Sequence, residues 1–591
     1  MTQPPRERKD IRTLSQDERD NLVLAFWKIQ QLKPDEDPTG LQSYFNIAGL
    51  HGEPFRGAGY GDPKWWGGYC NHGNILFPTW HRAYLLRLEN ALRKQVPGVT
   101  LPYWNEVDNA SIYDSGLPSI FTDPHYTFKS GEKKSETIDN PLRSYTYQKA
   151  IMDRRQSLPD ADYTKPEGVS TCRFPFSGLY GNADLSTTEA FNNVLNNLTV
   201  LQTNQYLNEN VKTWLADSTY TTSKGTKISA GTASRYAQCM GAPNYTVFSN
   251  TTSAQRWNDD NSNTNGFVPV VPLESPHNAM HLAIGGVQIP TQDASSIPNS
   301  NGDMGENETA AFDPIFYFHH AFIDMTFWLW QTRQGQTKEL AVMDEYPGTN
   351  SSDEQGPTPG VAGNTWLTLD SPLAPFMASE LPIPPQDTDR LMTSKVWIHK
   401  EAGRGCYGRQ CANVAFHKDI INIEGIGYTY NISNDTNTAL TPPKESAVTS
   451  HISVSGINRG AINGSFVISA WAFVGNNAPP VLVGVEPVLS RWHVAGCANC
   501  LTHIEAQAYV PLKGWDPDEV NNTSFQFLVH TRTAPRGDAK GRNPPILRIM
   551  PRPGLPRSTG LPVRGSQGTS VIGPLITALR EKQVTEEGLG K

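Results

Sequence analysis

Residues 72–95 read HGNILFPTWHRAYLLRLENALRKQ, and the fold turns on how that stretch is divided. From Phe77 onward the pattern is helical. Pro78 suits a first helical turn, where a missing N–H costs nothing, and Pro97-Gly98 ends the run. His72 and His81 are nine residues apart. On one helix that spacing would put them on opposite faces, ~900° of rotation apart. Pro78 resolves the conflict: His81 sits in the first turn, while His72 stays in the preceding loop and can fold back. A third histidine, His51, comes from another loop, GLHGEPF.

Outward from this stretch, Ser15 to Lys33 reads as a helix, with Leu22, Phe26 and Ile29 on one face and Ser15 as N-cap. Ser275-Pro276 and Asp313-Pro314 each offer an N-cap oxygen followed by proline at the first helical position. The first opens a helix carrying His277 and His281. The second opens one running to about Arg333 and carrying His319 and His320. The stretch NISNDTNTALTPPKESAVTS is polar and holds two prolines, so it reads as a linker. Beyond it, HISVSGINRGAINGSFVISAWAFVG and VLVGVEPVLSRWHV alternate like strands. The expected plan is a mainly α domain over 1–430, an antiparallel helix bundle with long loops. A linker over 431–450 leads to a smaller β-sandwich-like domain over 451–550 and a flexible tail over 551–591.

Composition narrows the function. The 591 residues are 37% hydrophobic and 18% charged, below the usual ~25%, which argues against a disordered chain. A net charge of −8 supplies no basic field for a phosphate backbone, so no nucleic-acid partner is expected. No apolar run approaches the ~20 residues that span a bilayer, so no membrane partner is expected either. MTQPPRERKDIRTLSQDERD lacks a secretory apolar stretch, so an intracellular, cytoplasmic location is expected. On that view the N-x-S/T triplets at Asn197, Asn244 and Asn307 carry little weight. Seven cysteines, an odd and sparse set, argue against a disulfide scaffold.

The histidines carry the chemistry. His277 and His281 lie at i, i+4, ~40° apart around a helix, so both imidazoles face one way. A zinc protease would need H-E-x-x-H, with the Glu as general base. Here that position is Asn278, so hydrolysis by that route lacks its base. A third ligand can come from His319 or His320, on a helix that is apolar all round and therefore buried. Two sets of three imidazoles, with no evident carboxylate ligand, do not suit a di-iron bundle, calcium or magnesium. They suit copper, zinc or nickel, and paired three-coordinate sites suit dioxygen between two coppers. On spacing alone, a set of satisfied structural histidines stays open.

HGNILFPTWHRAYLLRLE resembles the first copper signature of tyrosinases, through His72, Phe77, Trp80, His81, Arg82, Leu85 and Glu89. DPIFYFHHAFID resembles the second, through Asp313, Pro314, Phe316, His320 and Asp324. The resemblance spans roughly residues 10–550, and the arrangement is similar to fungal tyrosinases with a C-terminal shielding domain. It implies a type 3 centre of two copper ions per chain, with O2 as co-substrate. His51, His72 and His81 would bind copper A; His277, His281 and His320 would bind copper B, since the later histidine of the pair is the ligand in that signature.

The same resemblance implies a latent enzyme that hydroxylates small monophenols to o-diphenols and oxidises these to o-quinones. It implies a thioether between Cys70 and His72, and a water held by Glu274 and Asn278 as proton acceptor. It also implies a substrate gate at Phe316 and a tyrosine motif at Tyr428 and Tyr430, paired with Arg12. Asp324, at i+4 from His320, is a candidate outer-shell or packing acceptor. In the C-terminal domain the resemblance implies a plug at Tyr509 and copper loading by Cys497 and Cys500; soft thiolates suit Cu(I). The CYGRQC insertion, Cys406 to Cys411, has no assigned role. Competing readings are a catechol oxidase without monophenolase activity, a haemocyanin-like O2 carrier and a zinc hydrolase. The preferred phenol, the activating cleavage site and the oligomeric state, a homo-oligomer included, are left open.

Overall fold

The helix expected after Asp313 forms over Ile315–Arg333 and is buried on every side from Ile315 to Phe327. A helix without a polar face has to sit in the middle of its domain. This computed structural model describes residues 5–551 apart from 38, 53–67, 152–164, 181–184, 217–218, 222–226, 230, 265, 288, 290–299, 351–364, 382–390, 395, 399–415, 419, 444–449, 463, 474–479, 493, 495–499, 501–503, 513–514, 516 and 532–545. Cys406, Cys411 and Cys497 and the expected tail from 552 lie outside the described residues. Among the described residues no helix is long and apolar enough to cross a membrane.

The helices used below are α1 (Gln16–Gln31), α2 (Tyr44–Gly52), α3 (Phe77–Gln95), α4 (Val200–Ala216), α5 (Thr232–Cys239), α6 (Thr251–Asn261), α7 (Glu274–Gly285), α8 (Ile315–Arg333) and α9 (Asn434–Ala439). α3 packs against α8 and α1, and α7 against α4, α5 and α8. Ser15 caps α1 as read: its Oγ accepts the Glu18 N–H at 3.2 Å, while the Glu18 carboxylate takes the Ser15 N–H at 2.8 Å. The reading of α7 needs correction. It starts at Glu274, and Ser275 lies inside its first turn without capping it. Its hydroxyl donates instead to Glu486, at 2.7 Å. His51 also differs from its reading as a loop residue: it sits in the last turn of α2.

Two distant strands, β1 (Arg6–Arg8) and β2 (Tyr428–Tyr430), pair in parallel, with Arg8 opposite Tyr430. This register buries Arg8, 3.7 Å above the Tyr428 ring. Its guanidinium donates to the Tyr430 hydroxyl at 3.0 Å and to Glu89 of α3 at 2.9 Å. The tyrosine motif therefore pairs with Arg8. Arg12, the expected partner, binds Asp108 at 3.4 Å and the Gly116 carbonyl at 2.8 Å. Asp324 is the hub of the same network. It accepts from Arg82 at 2.5 Å and from both tyrosine hydroxyls at 2.6 Å, so it fixes helix packing rather than a histidine.

Burial by itself would raise the pKa of Glu89; the charges of Arg8 and Arg6 outweigh it and hold the carboxyl down to about 2. Removing one partner of a buried ion pair strands the other charge. Arg8→Ala should cost about 3–5 kcal/mol in urea unfolding at neutral pH. The loss should shrink as pH falls from the ordinary carboxyl range towards 2, because protonated Glu89 no longer needs the cation. An Arg8→Ala protein of unchanged stability would refute this.

The expected linker is partly structured. Ser433 caps α9, Asn105 donates to Thr436 Oγ1 at 2.8 Å, and Arg333 donates to the Leu440 carbonyl at 2.7 Å. Residues 431–443 therefore pack on the helical domain. The C-terminal strands are β3 (Ser450–Asn458), β4 (Phe466–Phe473), β5 (Val481–Val488), β6 (Glu505–Pro511), β7 (Ser524–Thr531) and β8 (Ile546–Pro551). They form two three-stranded sheets, ordered β6-β3-β8 and β5-β4-β7, over a shared apolar core that includes Ile452, Phe466, Val510 and Phe525. β5 lies across α7, and Val467, Trp471 and Val485 join the core of the helical domain.

Candidate metal centre

The local chain folds each imidazole inward for a separate reason. His51 is the penultimate residue of α2, and the segment before His72 pairs with that end: Tyr69 N–H to Leu50 O at 2.8 Å, and Cys70 N–H to His51 O at 3.2 Å. His81 comes from the first turns of α3, His277 and His281 from one face of α7, and His320 from α8. His51, His72 and His81 form one cluster that could hold a metal, and His277, His281, His319 and His320 form another. The two face each other: the His81 and His320 rings stack 4.5 Å apart, and His72 lies 5.7 Å from His277.

Tautomers are set from behind. The Nδ1 atoms of His51, His81 and His281 meet the backbone carbonyls of Asn307, Phe77 and Met304 at 3.2, 2.8 and 2.7 Å. A carbonyl can only accept, so each Nδ1 carries the proton and each Nε2 keeps its lone pair. His51 Nε2 and His81 Nε2 are buried without a protein partner. His320 Nε2 lies 3.2 Å from His277 Nε2 and 3.3 Å from His281 Nε2. N···N edges of that length fit three bonds of ~2.0 Å to one metal. Burial, then the neighbouring imidazoles, pushes His277 and His320 well below their ordinary pKa, and burial brings His81 to about 3. Neutral imidazoles are the form that ligates. The donor set, all nitrogen and in two facing trios, fits a copper pair.

The histidine pair on α8 separates cleanly. His320 meets both imidazoles of α7. His319 turns its Nδ1 to Glu106 at 2.6 Å, and Glu106 also accepts the Tyr236 hydroxyl at 2.5 Å. Glu106 has no motif around it, and the carbonyl partners Met304 and Asn307 are backbone atoms, so neither could be found from residue type. Asn307, noted in the sequence only as an N-x-T triplet, is buried.

Glu274 Oε1 accepts the Gly73 N–H at 2.8 Å, and Oε2 accepts the Thr251 N–H at 2.8 Å and its hydroxyl at 3.0 Å. It thus pins the residue after His72 to the start of α7. Burial raises its pKa, with those donors and Arg459 of the C-terminal domain opposing. Asn278, one turn on, has its Oδ1 3.0 Å from His277 Nδ1. Cys70 is buried, with its Sγ 3.4 Å from a guanidinium nitrogen of Arg491.

Three expectations change. Phe316 is 0% exposed, stacked on His320 at 4.0 Å and edge-on to His51 at 4.8 Å, so it packs against the imidazoles as core rather than standing at an entrance as a gate. Tyr509 pairs in register with Ser453, its ring lies 5.5 Å from that of His451, and its hydroxyl reaches Asp259 on the exposed side of α6. From the C-terminal domain it is Arg459, in the turn after β3, that lies close enough to influence Glu274. Cys500 is disulfide-bonded, so its sulfur is not the free thiolate that copper loading requires; its partner lies outside the described residues.

The family model described as the common central domain of tyrosinase matches residues 41–333. A tyrosinase of Aspergillus oryzae (strain ATCC 42149 / RIB 40) is 45% identical over 548 residues, which cover 90% of this chain and 94% of that protein. A tyrosinase of Hahella sp. (strain CCB-MM4) is 40% identical over 529 residues, covering 87% of this chain and 88% of that one. The solved tyrosinase from Burkholderia thailandensis at low pH superposes with a TM-score of 0.73 at 36% identity, covering 92% of this chain and 100% of that one.

Proposed function

The chain belongs to the tyrosinase family, and from that premise we propose the roles of its residues in a type 3 copper phenol oxidase. It hydroxylates monophenols such as tyrosine and oxidises o-diphenols to o-quinones. The observation that carries the reading is the pair of facing imidazole trios, with Nε2 atoms presented to common points. His51, His72 and His81 hold copper A, and His277, His281 and His320 hold copper B. When bound, the copper pair supplies dioxygen activation and takes up the electrons removed from the substrate.

The protein's own work is positioning and proton handling. A free phenol titrates near ~10 and needs help to ionise at neutral pH. Glu274 Oε1 has one protein donor and keeps a lone pair for a water, which Asn278 can help orient on the same helix face. Asn307, Phe77 and Met304 hold three imidazoles in one tautomer, so the metal bonds need no rearrangement. A Cys70–His72 thioether is part of the proposal. It forms a sulfur–carbon bond as the Cys70 S–H and a His72 ring C–H bond break, the two protons and two electrons reducing O2 to hydrogen peroxide. It would lock a ring that stands on a loop.

Latency follows from the docked C-terminal domain. With β5 across α7, the imidazoles are closed off, His72 the most exposed of the six at 8%. The test is metal analysis with a monophenol assay on full-length and clipped protein. The expected outcome is about two coppers per chain and hydroxylation of tyrosine after clipping. Turnover of catechols alone would restrict it to catechol oxidation, and reversible O2 uptake without turnover would make it a carrier. A fully active copper-free protein would end the reading.

A further inference from the structure

Two of the six imidazoles lean on one short segment. Met304 O meets His281 Nδ1 and Asn307 O meets His51 Nδ1, so residues 304–308 support one ligand of each trio. The C-terminal domain docks on that same segment. Ser465 Oγ donates to Gly305 O at 2.7 Å, and Trp492 N–H donates to Glu308 Oε1 at 3.1 Å. Gly464 fits so closely that an added Cβ would come within 2.6 Å of the Trp492 indole and 3.0 Å of Glu306 Oε1.

Beside these contacts stands Arg491, 2% exposed. One guanidinium nitrogen donates to Gly52 O at 3.1 Å and another to Cys70 Sγ at 3.4 Å. Gly52 directly follows His51, and Cys70 precedes His72 by two residues. A guanidinium is a rigid planar fork. This one spans the two chain segments that deliver two of the three copper-A imidazoles. Gly52 in turn abuts the Asn307 carbonyl so tightly that it has no room for a Cβ. The α7 side gets different support from the same domain, through Glu486 at Ser275 and Arg235.

We propose that Arg491 is a positioning residue for copper A. The docked C-terminal domain completes the support of the His51 and His72 segments, so copper A is loaded before the domain is released. Covering the centre and assembling it then become two roles of one surface. The idea rests on the copper reading above and goes beyond it, because a shield needs no fork reaching behind the ligands.

The experiment titrates copper-free full-length protein with Cu(I) against a chromophoric Cu(I) chelator, for the wild type and for Arg491→Ala, Arg491→Met and Arg491→Lys. Outer-shell changes typically cost 10–100-fold in metal affinity. The expected result is a loss of about that size at one of the two copper sites in the Ala and Met variants, with the other site unchanged and partial rescue by Lys. Full affinity at both sites in the Ala and Met variants overturns the proposal. So does equal weakening of both sites, which is what general destabilisation would give. Should Ala fail to fold by circular dichroism, Met, of similar length, carries the comparison. A second arm clips the chain before or after loading; one-site loss is expected only when clipping comes first, and full loading of pre-clipped, domain-free protein overturns the idea. A wild-type protein that takes up no copper would instead refute the metal reading.

Discussion

His281→Ala is expected to leave a protein with about one copper per chain and catechol oxidation down by roughly 10³-fold or more, beyond the 10–100-fold of outer-shell changes. His281 shares a helix face with His277 and reaches His320 Nε2 at 3.3 Å, so its loss opens one trio. The other trio comes from α2, the loop before α3 and α3 itself, and should keep its metal. His319→Ala is the matched control. Its ring is tied to Glu106, so that variant should retain about two coppers. Copper content by elemental analysis and the absorption change on adding hydrogen peroxide read both. A His281→Ala protein with two coppers and normal turnover, or a His319→Ala protein with one, would reverse the ligand assignment.

Cutting the chain between residues 443 and 450, followed by separation of the domains, should raise L-DOPA oxidation at least ~10-fold; a tethered cover competes at millimolar effective concentration. The position matters. Cuts upstream of Tyr428 would free β2 and strip Asp324 of two hydroxyl donors, so they should inactivate. Intact and clipped proteins of equal rate would refute latency.

The pH dependence of release has a sign set by Glu308. Burial, with Glu306 adding to it and Arg491 opposing, brings its pKa up to about 8 in the docked state, against an ordinary 4.5. A carboxyl raised on docking favours docking at low pH. Its contribution is complete below about 4.5 and is lost as pH rises through about 8. Clipped protein should therefore separate more readily at pH 9 than at pH 5 on size-exclusion chromatography. Equal or easier separation at pH 5 would show that other groups control release.

The helices and their histidines were legible because helical period, proline punctuation and imidazole spacing are local signals. Ser15 capped as read, and α8 proved buried because its composition leaves it no polar face. The errors were of another kind. Arg8 rather than Arg12 meets the tyrosines because strand register picks the partner, and register between residues about 420 apart has no local trace. The resemblance implies a plug at Tyr509, but the edge position of β6 turns its hydroxyl to α6. Ser275 looked like a cap and proved to be an anchor for Glu486.

By itself the sequence named the candidate donors: His72, His81 and His320 within the two signatures, His277 and His281 by their i, i+4 spacing, and His51 in a loop nearby. Tertiary structure alone decided what stands behind them. The carbonyls of Asn307 and Met304, the Glu106 carboxylate and the Arg491 fork are set by long-range packing. A carbonyl carries no side-chain identity, and a buried charge is placed by whichever distant segment neutralises it.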